Sequence, residues 1–229
     1  RDAVLQLSER IPAMAQLVNP RQHAAAVLSD SPLNACIEPT GDGVRSDFVA
    51  GPIPGAVLTE CPLRLHDAAD AMQPDAMRRD AMRPDAMRPD AMRQGYVTDL
   101  LGPWISVLVL SADGSLPLPL LQAAQDAAKA LPLRVALITC GEQANAPSTR
   151  RPMGSAQFAD VLQLASDPHG KLRALYGATA SSSSAGEQSL TVYVVRPDGH
   201  VCARWHQSSD ADGSVLQQAL RRLCGDAAA

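Results

Sequence analysis

Apolar residues along this chain change their period several times, and each change marks a boundary between elements. Val4, Leu7, Ile11, Met14 and Val18 recur at steps of three and four, the spacing of one helical face. They predict an amphipathic helix from about Asp2 to Leu17, kinked or divided at Pro12. After Asn19-Pro20 the periodicity dissolves. Residues 21–65 carry turn formers, among them Ser31-Pro32, Gly41-Asp42-Gly43 and Gly51-Pro52-Ile53-Pro54-Gly55, between short apolar groups. A stretch of that length with no regular structure needs another surface to lie against. The expectation is that a part of the protein outside this chain supplies it.

The pattern becomes decisive after residue 98. Trp104 to Leu110 (WISVLVL) is a continuous apolar run of buried-strand type, closed by the turn Ala112-Asp113-Gly114. Leu118 to Leu131 places Leu120, Leu121, Ala124, Ala128 and Leu131 at helical spacing, and Leu133 to Thr139 (LRVALIT) reads as a second strand. Strand, helix and strand in this order predict a right-handed parallel crossover. Beyond a polar stretch at residues 140–158, Val161 to Ala165 gives a short strand, Asp167-Pro168-His169-Gly170 a turn, and Lys171 to Tyr176 a short helix stopped by Gly177. Leu190 to Val195 and His200 to His206 alternate on either side of Arg196-Pro197-Asp198-Gly199, a hairpin signature. Val215 to Leu223 is helical, with Asp212 or Ser214 as its cap.

Between these regions, residues 70–94 repeat a pentapeptide five times: DAMQP, DAMRR, DAMRP, DAMRP, DAMRQ. Five residues advance a helix by about 140° past a full turn, so Met72, Met77, Met82, Met87 and Met92 wind around it without forming a stripe. Pro74, Pro84 and Pro89 also oppose helical geometry in the residues before them. Thioethers are soft ligands for cuprous copper, but tandem expansion of a surface loop explains the regularity without any ligand. The domain division that follows is 1–65 as a tail, 66–97 as a disordered insert, and 98–229 as a compact C-terminal domain.

Composition narrows the classes. Of the 229 residues 46% are apolar, enough for a core, while only 3% are aromatic, so that core rests on Leu, Val and Ala. Lys and Arg number 20 against 24 Asp and Glu, which argues against a nucleic-acid partner because phosphate-tracking surfaces need an excess of cations. No apolar stretch approaches the roughly 20 residues that span a bilayer. The chain opens on Arg1 with no signal-type apolar run. It is expected to be cytoplasmic and to begin partway through a longer protein.

Cys36, Cys61, Cys140, Cys202 and Cys224 are scattered, with no C-x-x-C among them. Neither a zinc ribbon nor a dithiol redox motif can be written from such spacings. Dispersed thiols fit a reducing compartment.

The order of crossover unit, irregular connection, hairpin and closing helix resembles that of the thioredoxin-like fold. The string VYVVRPDGHVCARW at residues 192–205 resembles the C-terminal signature of bacterial class A FAD-dependent aromatic monooxygenases, the phenol and hydroxyphenylpropionate hydroxylases. RDAVLQLSERIPAMAQLVNPRQ at the start, DSPLN at residues 30–34, GPIPGAVLTECPL and DLLGPWISVLVL resemble other parts of those enzymes in the same order. The resemblance implies an α/β chain: a thioredoxin-like domain preceded by a helix and an extended tail that belongs to a missing flavin and substrate domain. It implies a parent hydroxylase using FAD and NAD(P)H. This chain would be its noncatalytic packing, dimerisation or lid module, partnered by the upstream domains, with self-association left open. No G-x-G-x-x-G stands here, since Gly41-Asp42-Gly43-Val44-Arg45-Ser46 lacks the third glycine. No catalytic, cofactor-binding or metal-binding residue is therefore assigned in this chain.

The alternative is a freestanding thioredoxin-fold or peroxiredoxin-like thiol oxidoreductase. Dithiol enzymes of that fold carry C-x-x-C just after the first strand, where this sequence reads Ser111-Ala112-Asp113-Gly114. DPHGKLRALYGA at residues 167–178 nevertheless has a peroxiredoxin character, and Cys140, after the second strand, is the best thiol for this reading. A metal site on His200, Cys202, Arg204 and His206, which alternate onto one strand face, fails on reach. Cys202 and His206 stand about 13 Å apart along a strand, against zinc bonds of about 2.0 to 2.3 Å. His169 reads as a turn residue, and Ser181–Ser184 as a loop without a G-x-S-x-G frame.

Overall fold

The computed structural model describes residues 27–34, 44–46, 48–66, 92–140, 160–177, 189–208 and 212–225. The expected first helix, most of the pentapeptide array, Cys36 and Ser181–Ser184 lie outside these residues.

The centre of the molecule is the crossover unit. Strand β4 (Ile105–Ser111) runs parallel to β5 (Leu133–Cys140), and helix α1 (Leu118–Ala128) connects them. Strand β6 (Leu162–Asp167) continues the parallel set beside β5, while β7 (Ser189–Val195) lies antiparallel on the other side of β4. The hairpin adds β8 (Val201–Ser208), and helix α3 (Ser214–Leu223) closes the domain. The short helix α2 (Lys171–Leu175) follows β6. Three further strands complete the sheet: β1 (Val44–Arg45) beside β8, β2 (Pro62–His66) beside β6, and β3 (Met92–Tyr96) at the end. The order of the eight strands is β1-β8-β7-β4-β5-β6-β2-β3.

Strands buried on both faces read as near-continuous apolar runs, and β4, polar only at Ser106 and Ser111, sends alternate apolar residues to two cores. Val107 and Val109 join Val135, Leu137, Val192, Val194 and Trp205 under α1 and α3. Leu108 and Leu110 join Ala136, Ile138, Tyr193, Leu172 and Tyr176 on the opposite face. Each such side chain taken fully from water contributes about 1.5 to 3 kcal/mol.

Differences from the sequence-based elements have local causes. Helix α1 ends at Ala128 rather than Leu131: the amides of Lys129 and Ala130 bond back to Asp126 and Ala127, a tightened last turn, and Pro132 bars continuation. Strand β5 includes Cys140, and β6 runs on through Ser166 and Asp167, because Thr139 pairs with Ser166 and Cys140 with Asp167. Strands β2 and β3 were not expected. Leu63 and Leu65 turn to the second core, and β2 pairs antiparallel with both β6 and β3. The sheet thus runs across both boundaries drawn at residues 65 and 97.

The described part of the turn-rich segment finds its partners within this chain, contrary to the expectation that they lie elsewhere. The Gly55 amide donates to Val201, the Val201 amide donates to Ala56, and the Leu28 amide donates to Gly55. The Tyr176 hydroxyl donates to the Thr59 carbonyl at 2.6 Å, and Arg204 donates to Gly51 at 2.8 Å. Gly51 adopts φ +100° with the Tyr193 hydroxyl so close that a Cβ there would sit 2.3 Å from it. Only glycine suits that conformation and approach together. This segment caps the second core.

Candidate functional site

In open α/β sheets the carboxyl ends of parallel strands are where ligands bind, so the ends of β4, β5 and β6 are the places to inspect. Strand β4 ends on Ser111, and the turn after it is organised by Asp113. Its Oδ1 accepts hydrogen bonds from the Ser111 hydroxyl at 2.8 Å, the Ser115 amide at 2.9 Å and the Ser115 hydroxyl at 2.7 Å. Partial burial raises the cost of charging this carboxyl, but the bonds from Ser115 and Ser111 outweigh it and hold the group below its ordinary range. The parallel set β4, β5, β6, the antiparallel β7-β8 hairpin and helices on the flanks are now all placed. The fold is thioredoxin-like. At the position where dithiol enzymes of this fold carry their motif stands a carboxylate turn with no thiol.

Cys140 ends β5. Its side chain is buried in the second core, as the last residue of a strand that the sequence pattern ended at Thr139. Burial pushes its thiol up to about 12, and the charge of Asp167 adds to that rise, while Arg173 acts against it. Asp167 is its partner across the parallel pair and is itself fully buried, its oxygens accepting the His169 amide at 3.2 Å and the Leu172 amide at 2.6 Å. Cys61, just before β2, lies in the same core. Burial raises its thiol too, with Asp167 second and Lys171 opposing. The site therefore places Cys140 beside Asp167, with Cys61 in the same core.

Sequence reasoning missed Cys61 and read Asp167 only as part of a turn. The signal for Cys61 was its parity with Leu63 and Leu65, which places all three on one face once β2 is known to be a strand. Asp167 could not be linked to Cys140 without the register.

The proposed single face of His200, Cys202, Arg204 and His206 is not formed. A β-bulge shifts the register so that Val194 pairs with Ala203 but Val195 pairs with Val201. The extra residue of a bulge breaks the alternation, and Cys202 enters the core beneath the helices together with Ala203 and Trp205. His206 instead stacks on Phe48 at 4.0 Å and meets the Thr191 hydroxyl at 3.0 Å, and the Arg204 guanidinium lies over the Phe48 ring at 4.2 Å. His169 is exposed in its turn. Among the described residues no group of three or more His, Cys, Asp or Glu could hold a metal ion, and no helix is long and apolar enough to cross a membrane.

No protein-family model matches this chain, and no curated protein matches it. Similar solved structures exist at low identity. A 2-Cys peroxiredoxin of Plasmodium vivax is 10% identical, with 76% of this chain and 98% of that chain covered and a TM-score of 0.47. A putative thiol:disulfide interchange protein, DsbE, of Chlorobium tepidum is 20% identical, with 57% and 86% covered and a TM-score of 0.34. Aklavinone-11 hydroxylase, solved with FAD and aklavinone, is 20% identical, with 57% of this chain but 18% of that chain covered and a TM-score of 0.35.

The reading of this chain as the noncatalytic C-terminal part of a flavin hydroxylase is corrected. The similar structures are mostly peroxiredoxins and thiol oxidoreductases, covered over nearly their whole length. For its described part the turn-rich segment needs no surface outside this chain, because residues 48–61 bond to β8, Tyr176 and Arg204. FAD and a nicotinamide cofactor entered only with that reading, and no residue here is assigned to them.

Proposed function

We propose that this chain works as a thioredoxin-fold, peroxiredoxin-like thiol oxidoreductase with Cys140 as its redox thiol. One observation carries the reading: Cys140 ends the central parallel strand beside Asp167 of the next, with Cys61 in the same core. In the step proposed, the Cys140 thiolate bonds to one oxygen of a peroxide, the O–O bond breaks, and the second oxygen leaves as an alcohol or water after taking a proton. The sulfenic acid then condenses with a thiol to give a disulfide and water.

Burial sets the pace. With the thiol pushed up to about 12 by burial, the thiolate, which is the nucleophile, is scarce at pH 7. The reading is accordingly of a slow, masked redox thiol, not of a fast scavenger. Sulfenic-acid trapping with dimedone after peroxide treatment of the folded chain, followed by peptide mass spectrometry, tests it. A Cys140 adduct that is absent from Cys140→Ser is expected. A folded chain that consumes no peroxide at Cys140 would refute the reading.

A further inference from the structure

We propose that Arg64, Ser166 and His66 form a binding site for a small carboxylate on the helix-bearing face of the sheet, opposite Cys140 and Asp167. The site is independent of the thiol chemistry proposed above. One row of paired residues leads to it across the sheet: Ser111 with Thr139, Thr139 with Ser166, Ser166 with Arg64, and Arg64 with Gln94. Residues two positions apart on a strand share a face, so the row stands on the face of Val109, Leu137 and Leu164. On that face β4, β5 and β6 are apolar up to this level and all turn polar in it, at the carboxyl ends of the parallel strands. Open α/β sheets take their ligands there. Among the described residues the core beneath α1 and α3 includes none of β2, and at that end of the row Arg64 and His66 are half-buried while Gln94 is exposed.

Donors and charges define the ligand. Ser166 and Arg64 are antiparallel partners, with Cα atoms about 5 Å apart, and His66 stands two residues, about 7 Å, further along β2 on the same face. Its Nε2 lies 3.2 Å from the Ser166 hydroxyl. With Nε2–H donating to Ser166, the hydroxyl keeps its own proton for an acceptor placed beside the guanidinium. Among the described residues no carboxylate is paired with Arg64. A guanidinium fork with a hydroxyl donor next to it matches the two oxygens of a carboxylate. Burial, and after it the charge of Arg64, holds His66 below its ordinary range, so the imidazole is neutral above pH 7 and Arg64 is the one cation of the row. One positive charge offsets one negative charge. A carboxylate is therefore preferred over phosphate, whose further charge would stay uncompensated in a half-buried site.

The experiment titrates propionate and inorganic phosphate separately into the full chain at about pH 7.5, below the range in which the buried thiols titrate, and at constant ionic strength. The ring ¹H and ¹⁵N resonances of His66 are followed by NMR. Propionate should move them saturably in the millimolar range, and phosphate should bind about tenfold more weakly. His169, exposed in its turn, should not move. No saturable movement with propionate, equal movement of His169, or tighter binding of phosphate overturns the proposal. Arg64→Gln should abolish saturation and Ser166→Ala should weaken propionate about tenfold, each with an unchanged urea midpoint. Should Arg64→Gln not fold, Ser166→Ala decides: propionate bound as tightly without the hydroxyl overturns the proposal. The ¹⁵N shifts also report the tautomer. A proton on Nε2 of His66 supports the arrangement, and a proton on Nδ1 instead overturns it.

Discussion

Alkaline pH should unfold this protein through its buried thiols. Cys140 and Cys202 sit in different cores, one on each face of the sheet, and burial pushes each thiol up to about 12. In the unfolded chain both release their protons near 8.5 to 9. Because the folded pKa is the higher one, the folded state holds more protons in between. The stabilisation is complete below about pH 8.5 and is lost as pH rises towards 12. One pH unit corresponds to about 1.4 kcal/mol per thiol. At pH 10.5 each should therefore have lost about 2 kcal/mol and the pair about 4, a large part of the roughly 5 to 15 kcal/mol that holds a domain together. Tyr193, also pushed up to about 12, starts from an ordinary value near 10 and adds less in this range. Urea denaturation followed by circular dichroism at pH 7.5, 9 and 10.5 measures the slope. The double variant Cys140→Ala, Cys202→Ala should be less stable at pH 7.5 but lose much less between pH 9 and 10.5. An alkaline slope as steep in the double variant as in wild type would show that these thiols are not the linked groups.

Two glycines with φ above zero should respond differently to substitution. Gly51→Ala meets both φ +100° and the Tyr193 hydroxyl, and should lower stability by about 2 to 4 kcal/mol, since the strain of left-handed backbone adds to a clash with a buried ring. Gly199→Val has φ +83° with nothing within 4 Å and should cost only the backbone strain, about 1 to 2 kcal/mol. Equal urea midpoints for the two variants would contradict the role given to the Gly51 contact. Deleting residues 70–89 removes whole repeats and leaves residues 67–69 and 90–91 to join His66 to Met92, which are cross-strand partners. Five residues are enough for a hairpin loop, so the urea midpoint should be preserved. A loss of cooperative unfolding would show that the repeats contribute to the fold.

How much was legible follows from how local each signal was. The run WISVLVL and the string Arg196-Pro197-Asp198-Gly199 carry their structure in adjacent residues. Both were readable as a buried strand and a hairpin turn, and in the structure Gly199 donates to Arg196 and takes φ +83°. Strand β3 was hidden because its residues Met92-Arg93-Gln94 are also the end of the last pentapeptide, and a repeat unit says nothing about which copy pairs. The likeness to flavin hydroxylases rested on short local strings, which do not show on what surface residues 48–61 lie.

Sequence alone determined the order of the elements from β4 to α3, the parallel crossover, the hairpin turn, the absence of C-x-x-C and the doubly apolar character of β4, since these depend on period and on the conformational limits of single residues. Tertiary structure decided everything that depends on register. It brought Asp167 beside Cys140, turned Cys202 into the core through a bulge, and laid Gly51 against Tyr193. The reason is physical: a one-residue slip in pairing sends a side chain to the other face of a sheet. Which side chains meet across strands is fixed by the packing of the whole domain, and no run of neighbouring residues encodes it.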